Sequence, residues 1–271
     1  MRNLGLGDLG FLAAASGVTY DADAAAYIAA VEAADGQALE TAVKDAINAF
    51  VVGCKTDGTW NAIKASCILA GARTLAGALV PLVGAAPTNV GFPAGSYNRK
   101  TGLLGNGASY YLDSNRNNNA DPQNSQHMAC WVSSAPVGGT FPMYIGTGDT
   151  IAGTNNLGVG RASNFIFARS RSGTADTIAS AGTSTGFIGT NRASSASYVI
   201  RVNNANTTFS GTSDLPLNRS LLVFAVTNNG GSPDLYSSAR LALYSIGESL
   251  DLALLDARVA ALINALAAAI P

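Results

Sequence analysis

Apolar and polar positions change their spacing twice along the chain, and those changes divide it. From Asp21 the period is helical: Tyr27, Ile28 and Val31 share one face, Asp21 or Asp23 can cap the start, and Asp35-Gly36 ends it. Leu39, Val43, Ile47, Phe50 and Val51 predict a second helix that ends near Gly53. After the Lys55-Thr56-Asp57-Gly58 loop, Trp60, Ile63, Cys67 and Ile68 read as a third, shorter helical stripe. Short amphipathic helices of this kind need a partner surface. Residues 1–20 show no clear period and many small side chains, which suits an extended arm.

Beyond Gly77 the helical period vanishes. Ala78–Val83 has the β-branched, apolar content of a strand. Short apolar runs follow at Ala108–Leu112, Met128–Val132, Met143–Ile145, Leu157–Val159, Asn164–Arg169, Ser197–Val202, Leu221–Val226 and Leu241–Ile246. Turn residues such as Gly105-Asn106-Gly107, Asn203-Asn204 and Asn228-Asn229-Gly230-Gly231 separate them. Many short strands between frequent turns predict an antiparallel sandwich or barrel. The chain closes with Glu248-Ser249 as a helix start and with Leu252, Leu255, Val259, Leu262 and Leu266 on one stripe. Two heptads are too few for a coiled coil. The stripe either docks on its own domain or meets a neighbouring subunit. The expected organisation is an arm (1–20), a helical anchoring segment (21–77), a β-sandwich (78–249) and a C-terminal helix (250–271).

Composition sharpens this picture. Of 271 residues 48% are hydrophobic, but only 7% are aromatic and 12% charged, about half the usual charged share. The surface must therefore be built from hydroxyls, amides and backbone, as is common in extracellular and virion proteins. The net charge of −1 hides an asymmetry: residues 84–247 hold ten basic and six acidic side chains, and residues 1–83 hold five and eight. The arginines are singly spaced, so no nucleic-acid arm is expected. Cys54, Cys67 and Cys130 cannot all pair, and with His127 the lone histidine no zinc site is expected either. These thiols suit folding in a reducing cytosol. Asp8 and the glycines at 5, 7 and 10 interrupt the apolar start, so no secretory signal is expected. Asp251, Asp256 and Arg258 interrupt the final apolar segment, so no membrane span is expected there.

No catalytic residue, metal or cofactor is expected from the residue pattern. Glycoside hydrolysis needs two carboxylates flanking the sugar bond, yet residues 84–247 hold six aspartates, no glutamate, and no two aspartates alternating on one strand. His127 stands at a strand entrance with no G-x-S-x-G context and reads as structural. The oxygen-rich stretch from Asp113 to Asp121 does not complete a calcium loop and reads as a polar loop. Gly158-Val159-Gly160 lacks the following helix of a phosphate cradle and reads as turn geometry. A glycan needs an exposed aromatic platform beside amides and carboxylates. Tyr110, Tyr111, Trp131 and Tyr236 are the candidates, Trp131 being assigned to the core, and Tyr236 with Asn229 and Asp234 forms the candidate contact.

The order of four segments resembles the concanavalin A-like, laminin G-like jelly-roll domains. They are Leu104–Asp113, similar to an F-x-G-x-x-x-Y-L strand; His127–Ser133, similar to a central strand with a buried Trp; Ser197–Asn206, similar to a Y-x-V-N-G hairpin; and Arg240–Leu250, with Ile246-Gly247-Glu248-Ser249-Leu250 similar to I-G-x-x-L before a helix. The closing element looks most like versions carried by bacteriophage virion proteins, and Ala62–Arg73 resembles a segment that precedes such domains. The resemblance implies a mainly β, antiparallel two-sheet jelly-roll in a non-enzymatic tail fibre, tail or head decoration protein. It implies other virion proteins as partners, a homo-oligomer such as a trimer, contact with a host-surface glycan, and a place in the virion after synthesis in the host cytoplasm. A free carbohydrate-binding module is the competing reading, and a glycan-active hydrolase the third. The family's calcium and sugar positions vary too much to carry over.

Overall fold

The computed structural model describes residues 19–138, 141–160, 165–179 and 184–271. The arm expected over 1–20 lies outside them except for its last two residues. The described helices are α1 (Ala22–Asp35), α2 (Thr41–Thr56), α3 (Leu75–Ala78) and α4 (Leu252–Ala269). The first strands are β1 (Ile63–Ile68), β2 (Thr88–Val90), β3 (Tyr97–Asn98), β4 (Gly102–Leu104), β5 (Tyr111–Asn117) and β6 (Gln126–Ser134). β7 (Met143–Thr147), β8 (Asn155–Val159), β9 (Phe165–Ser170), β10 (Asp176–Ala179), β11 (Gly186–Arg192) and β12 (Ser197–Val202) follow. The last are β13 (Ala205–Ser210), β14 (Ser220–Val223), β15 (Val226–Thr227), β16 (Pro233–Asp234) and β17 (Arg240–Gly247).

Two antiparallel sheets form the sandwich. The first runs β13-β12-β11-β6-β17-β4-β3, with β1 also on β17; the second runs β10-β9-β8-β7-β14-β5-β2. One edge of β17 lies on β6, and the other is shared by β4 and β1. Between the sheets pack Leu103, Leu112, Met128, Cys130, Ile145, Leu157, Val223 and Tyr244. The outer face of the first sheet is covered too: Ala129, Phe187, Ala242 and Leu243 meet Ile28, Val43, Ile47 and Phe50 of α1 and α2, and Val259 and Leu262 of α4. The layers are therefore helices, first sheet, inter-sheet core and second sheet. This is the mainly β jelly-roll sandwich with N-terminal and C-terminal helices that the motif order implies. Asn203 and Asn204, both with positive φ (53° and 61°), make the two-residue turn between β12 and β13.

Several expectations are corrected. The third helix expected over Trp60–Ile68 is a single turn at Trp60–Ala62 followed by β1, which pairs with β17 from Ile63↔Gly247 to Ile68↔Leu243. Ala65 and Cys67 enter the inter-sheet core while Ile63 and Ile68 face the helices, so burial on both sides erases the alternation that marks a strand. The helical segment accordingly stops at Thr56, and the sandwich takes in β1 rather than beginning at residue 78. Ala78–Val83 is not a strand: Thr74 caps α3, Pro81 offers no amide, and Val83 makes one isolated bridge to Ser66. Leu221–Val226 breaks at Phe224, whose φ is 70°. The polar loop expected over Asp113–Asp121 is largely β5, and it ends in Asn118, a buried hub that donates to the Gly153 carbonyl and accepts from Asn155.

The C-terminal helix starts at Leu252, with Asp251 accepting from the Ala253 amide, rather than at Glu248-Ser249. Leu252, Leu255, Val259, Leu262 and Leu266 are all buried in the chain's own helix-on-sheet cluster, so the subunit-contact reading of this stripe is withdrawn. By length and composition α4 is apolar enough to cross a membrane. Here it lies on the sheet, and its two charges are paired: Asp256 with Arg201, and Arg258 with Asp57.

His127 at the start of β6 is fully buried. Its Nδ1 lies 2.6 Å from the Glu248 carbonyl, which can only accept, so the proton sits on Nδ1, and Nε2 accepts from the Ser245 hydroxyl at 2.8 Å. Burial lowers its pKa from an ordinary 6.5 to about 4. The unfolded chain therefore takes up a proton between about pH 6.5 and pH 4 that the folded chain refuses, and stability falls as pH falls through that window. Full protonation of the unfolded state corresponds to about 3 kcal/mol. Urea unfolding from pH 7 to pH 4 should show this slope in the native protein and lose it in His127→Gln; equal slopes would refute the assignment.

Candidate functional site

The outer face of the second sheet bears no helix among the described residues. Along β9 the chain alternates: Ile166 and Ala168 point into the core, and Phe165, Phe167 and Arg169 point outward. Gly158 of β8 lies directly opposite Phe167 in the ladder. A side chain at Gly158 would meet the Met143 sulfur at 2.7 Å, and one at Gly160 would meet the Phe165 ring at 1.8 Å. These glycines, read from sequence as turn geometry, are therefore the flat floor on which the rings lie. Phe141, 39% exposed, completes the cluster, its ring centroid 5.5 Å from that of Phe167 and edge-on to it. Phe165 stands 6.4 Å from Phe167 and 6.5 Å from Phe141.

These rings, Met143, Ala175 and Leu235 line a groove of about 430 Å³, with Asp149, Thr150, Arg169 and Thr177 at its polar margin. Its size falls in the small-ligand class. The margin is held in place. Asn229 Oδ1 accepts from the backbone amides of Asp149 and Thr150, both at 3.2 Å, and its Nδ2 donates to the Thr150 hydroxyl at 3.1 Å. From the other side Asn156 donates to the carbonyls of Gly148 and Asp149. Arg169 Nε donates to the Gly173 carbonyl at 3.2 Å, and burial lowers its pKa while the Asp149 charge opposes that shift.

The sequence-derived contact residues all lie on the 226–236 hairpin that walls this groove, in unequal roles. Asn229 is exposed, but its side chain is engaged in holding the 149–150 loop. Asp234 is exposed and accepts from the Leu235 amide at 2.7 Å. Tyr236 is half-buried, its ring 6.3 Å from that of Tyr111 and its hydroxyl on the Pro233 carbonyl. With Phe141, Leu235 and Gly107, Asp234 and Tyr236 line a second hollow of about 210 Å³, which shares Phe141 and Leu235 with the groove. Trp131 packs with the helix-side core as expected. Sequence reading missed Phe141, Phe165, Phe167 and Arg169. The signal was Phe165-x-Phe167-x-Arg169 opposite Gly158-x-Gly160, concealed because the intervening Ile166 and Ala168 are apolar as well.

A separate cleft of about 490 Å³ lies between α1 and the 79–83 segment, lined by Tyr27, Ala30, Trp60, Ile63, Lys64 and Pro81 among others. It is bounded by the helical layer. Among the described residues no cluster of three or more His, Cys, Asp or Glu is placed to hold a metal ion. The groove on the second sheet contains one carboxylate, Asp149, among its described lining residues.

No family model matches the chain, and no curated protein matches it. Among solved structures it is similar to the enzymatically active domain of tailspike protein 2 of bacteriophage CBA120, at 17% identity and a TM-score of 0.42 over 66% of this chain and 29% of that one. It is similar to the botulinum neurotoxin serotype D binding domain, at 10% identity and a TM-score of 0.47 over 74% and 51%. Domains LG4-5 of the mouse laminin α1 chain match at 12% identity and a TM-score of 0.39 over 64% and 47%. The chain thus spans about half or less of the length of these three. A likeness at this level is one of fold and carries no ligand or role across.

Proposed function

We propose that this chain is a non-enzymatic virion protein of a bacteriophage that presents a lectin-like jelly-roll, with the open face of its second sheet as the contact for a host-surface glycan. The observation that carries the binding role is the aromatic groove on that face: its clustered rings offer an apolar platform, and Asp149, Thr150, Arg169 and Thr177 offer hydrogen-bonding partners at its edge. Binding is favoured over catalysis because sugar-bond hydrolysis needs two carboxylates and the described lining supplies one. The place in a virion is supported by the resemblance of the Arg240–Leu250 element and by a surface poor in charge. The helical layer, on the opposite side of the sandwich, is the side proposed to face the particle. A homo-oligomer would have to use surfaces other than the apolar stripe of α4, which is filled from within.

Mass spectrometry of purified particles tests the placement. The chain is expected there at stoichiometric copy number; its absence from intact particles would overturn the virion reading and leave the free carbohydrate-binding module as the alternative.

A further inference from the structure

Resting on the glycan reading above, we infer that the groove selects a sugar that carries an acetamido group. The groove has two unlike sides. Its floor is Phe165, Phe167 and Met143 beside Leu235 and Ala175, and these side chains offer no hydrogen bond. A sugar hydroxyl pressed onto that floor would lose its water without a replacement partner. A methyl group would not, and it gains contact with the rings instead.

The margin specifies the rest of the substituent. Asp149 can only accept and Arg169 can only donate. The two are not joined in a direct ion pair, and each is held by its own backbone contacts, Asp149 through Asn229 and Arg169 through Gly173. A neutral ligand group that brings one N–H and one C=O on either side of a methyl matches all three features: the N–H to Asp149, the carbonyl to Arg169, the methyl to the Phe141–Phe165–Phe167 cluster. An acetamide is such a group. A bare hexose has no methyl for the floor, and a carboxylate-bearing sugar satisfies Arg169 but is repelled by Asp149. Asn229 is a positioning residue, since it touches the 149–150 loop and not the groove.

The test uses the full chain, with methyl glycosides of N-acetylglucosamine, N-acetylgalactosamine and N-acetylmannosamine beside those of the parent hexoses, read by saturation-transfer NMR and titration. At least one acetamido sugar should bind about tenfold or more tighter than its parent. Its acetyl methyl protons should receive the largest saturation. Phe141→Ser, at an exposed position, and Arg169→Met should each reduce that preference about tenfold, with circular dichroism confirming that both variants remain folded. Parent hexosides binding equally well, saturation centred on ring protons, or a preference unchanged in both folded variants would each overturn the inference. Binding of glycans that lack acetamido groups, with none of the acetamido sugars bound, would overturn it and leave the glycan reading standing. No binding of any glycan would remove that reading itself.

Discussion

Asp256→Ala should lower the unfolding free energy by about 3–5 kcal/mol, a large fraction of what holds a domain of this kind together. Asp256 sits in the second turn of α4, its side chain 4% exposed, and accepts from Arg201 Nε at 2.7 Å; Arg201, on β12, is 10% exposed and also donates to Asn206 at 3.0 Å. Removing the carboxylate leaves a guanidinium buried between helix and sheet with one neutral partner. The loss comes from that stranded charge rather than from the net value of the pair. Arg201→Met with Asp256→Leu should therefore recover most of the stability that Asp256→Ala loses. Urea unfolding of the single and double variants measures this. A single variant within about 1 kcal/mol of the native protein would show that the buried Arg201–Asp256 pair between β12 and α4 does not form.

Gly247→Ala should cost about 3 kcal/mol or more, or prevent soluble expression. A Cβ at this position would stand 2.0 Å from the Ala62 carbonyl oxygen and 2.8 Å from the Lys64 amide nitrogen. Both are backbone atoms and cannot turn aside. The contact lies where β1 joins β17, beside the register shift between Ile63 and Ala65. Relief would require β1 to leave the sheet, opening the 57–62 connection to protease. Gly211→Ala, with no atom within 4 Å of the added carbon, is the matched control and should stay within about 0.5 kcal/mol. Equal stability of the two variants would contradict the pairing of β1 with β17.

Gly247 also shows what could be read from the chain. The Ile246-Gly247-x-x-Leu250 signature was legible, and so was a final strand running into a helix. Its physical reason was not, because the atom that requires a glycine belongs to Ala62, far away in sequence. The same distance explains why β1 was taken for a helix: its partner β17 lies about 180 residues further on, and a strand buried on both sides has no alternation to display. β6, β7, β8, β12 and β17 could be found because their apolar runs sit between turn residues. β13 could not, since its Ala-Asn-Thr-Thr-Phe-Ser sequence is exposed along an edge. The charge asymmetry between acidic flanks and cationic sandwich was visible as a count. The fold puts part of it to structural use, with Arg99 on Glu40 and Arg201 on Asp256. At the candidate site the sequence pointed to the hairpin bearing Asn229, Asp234 and Tyr236, which walls the groove. The ring cluster was missed because outward-facing phenylalanines in a strand look like core.

Glycan binding through the phenylalanine groove on the open face of the second sheet is the proposal on which the rest depends. The most direct measurement is an array of bacterial surface polysaccharides probed with the intact chain and, in parallel, with its Phe141→Ser variant. The native chain is expected to bind a subset of polysaccharides, and the folded variant to lose that binding. Equal binding by both, or silence of the native chain across the array, would contradict it.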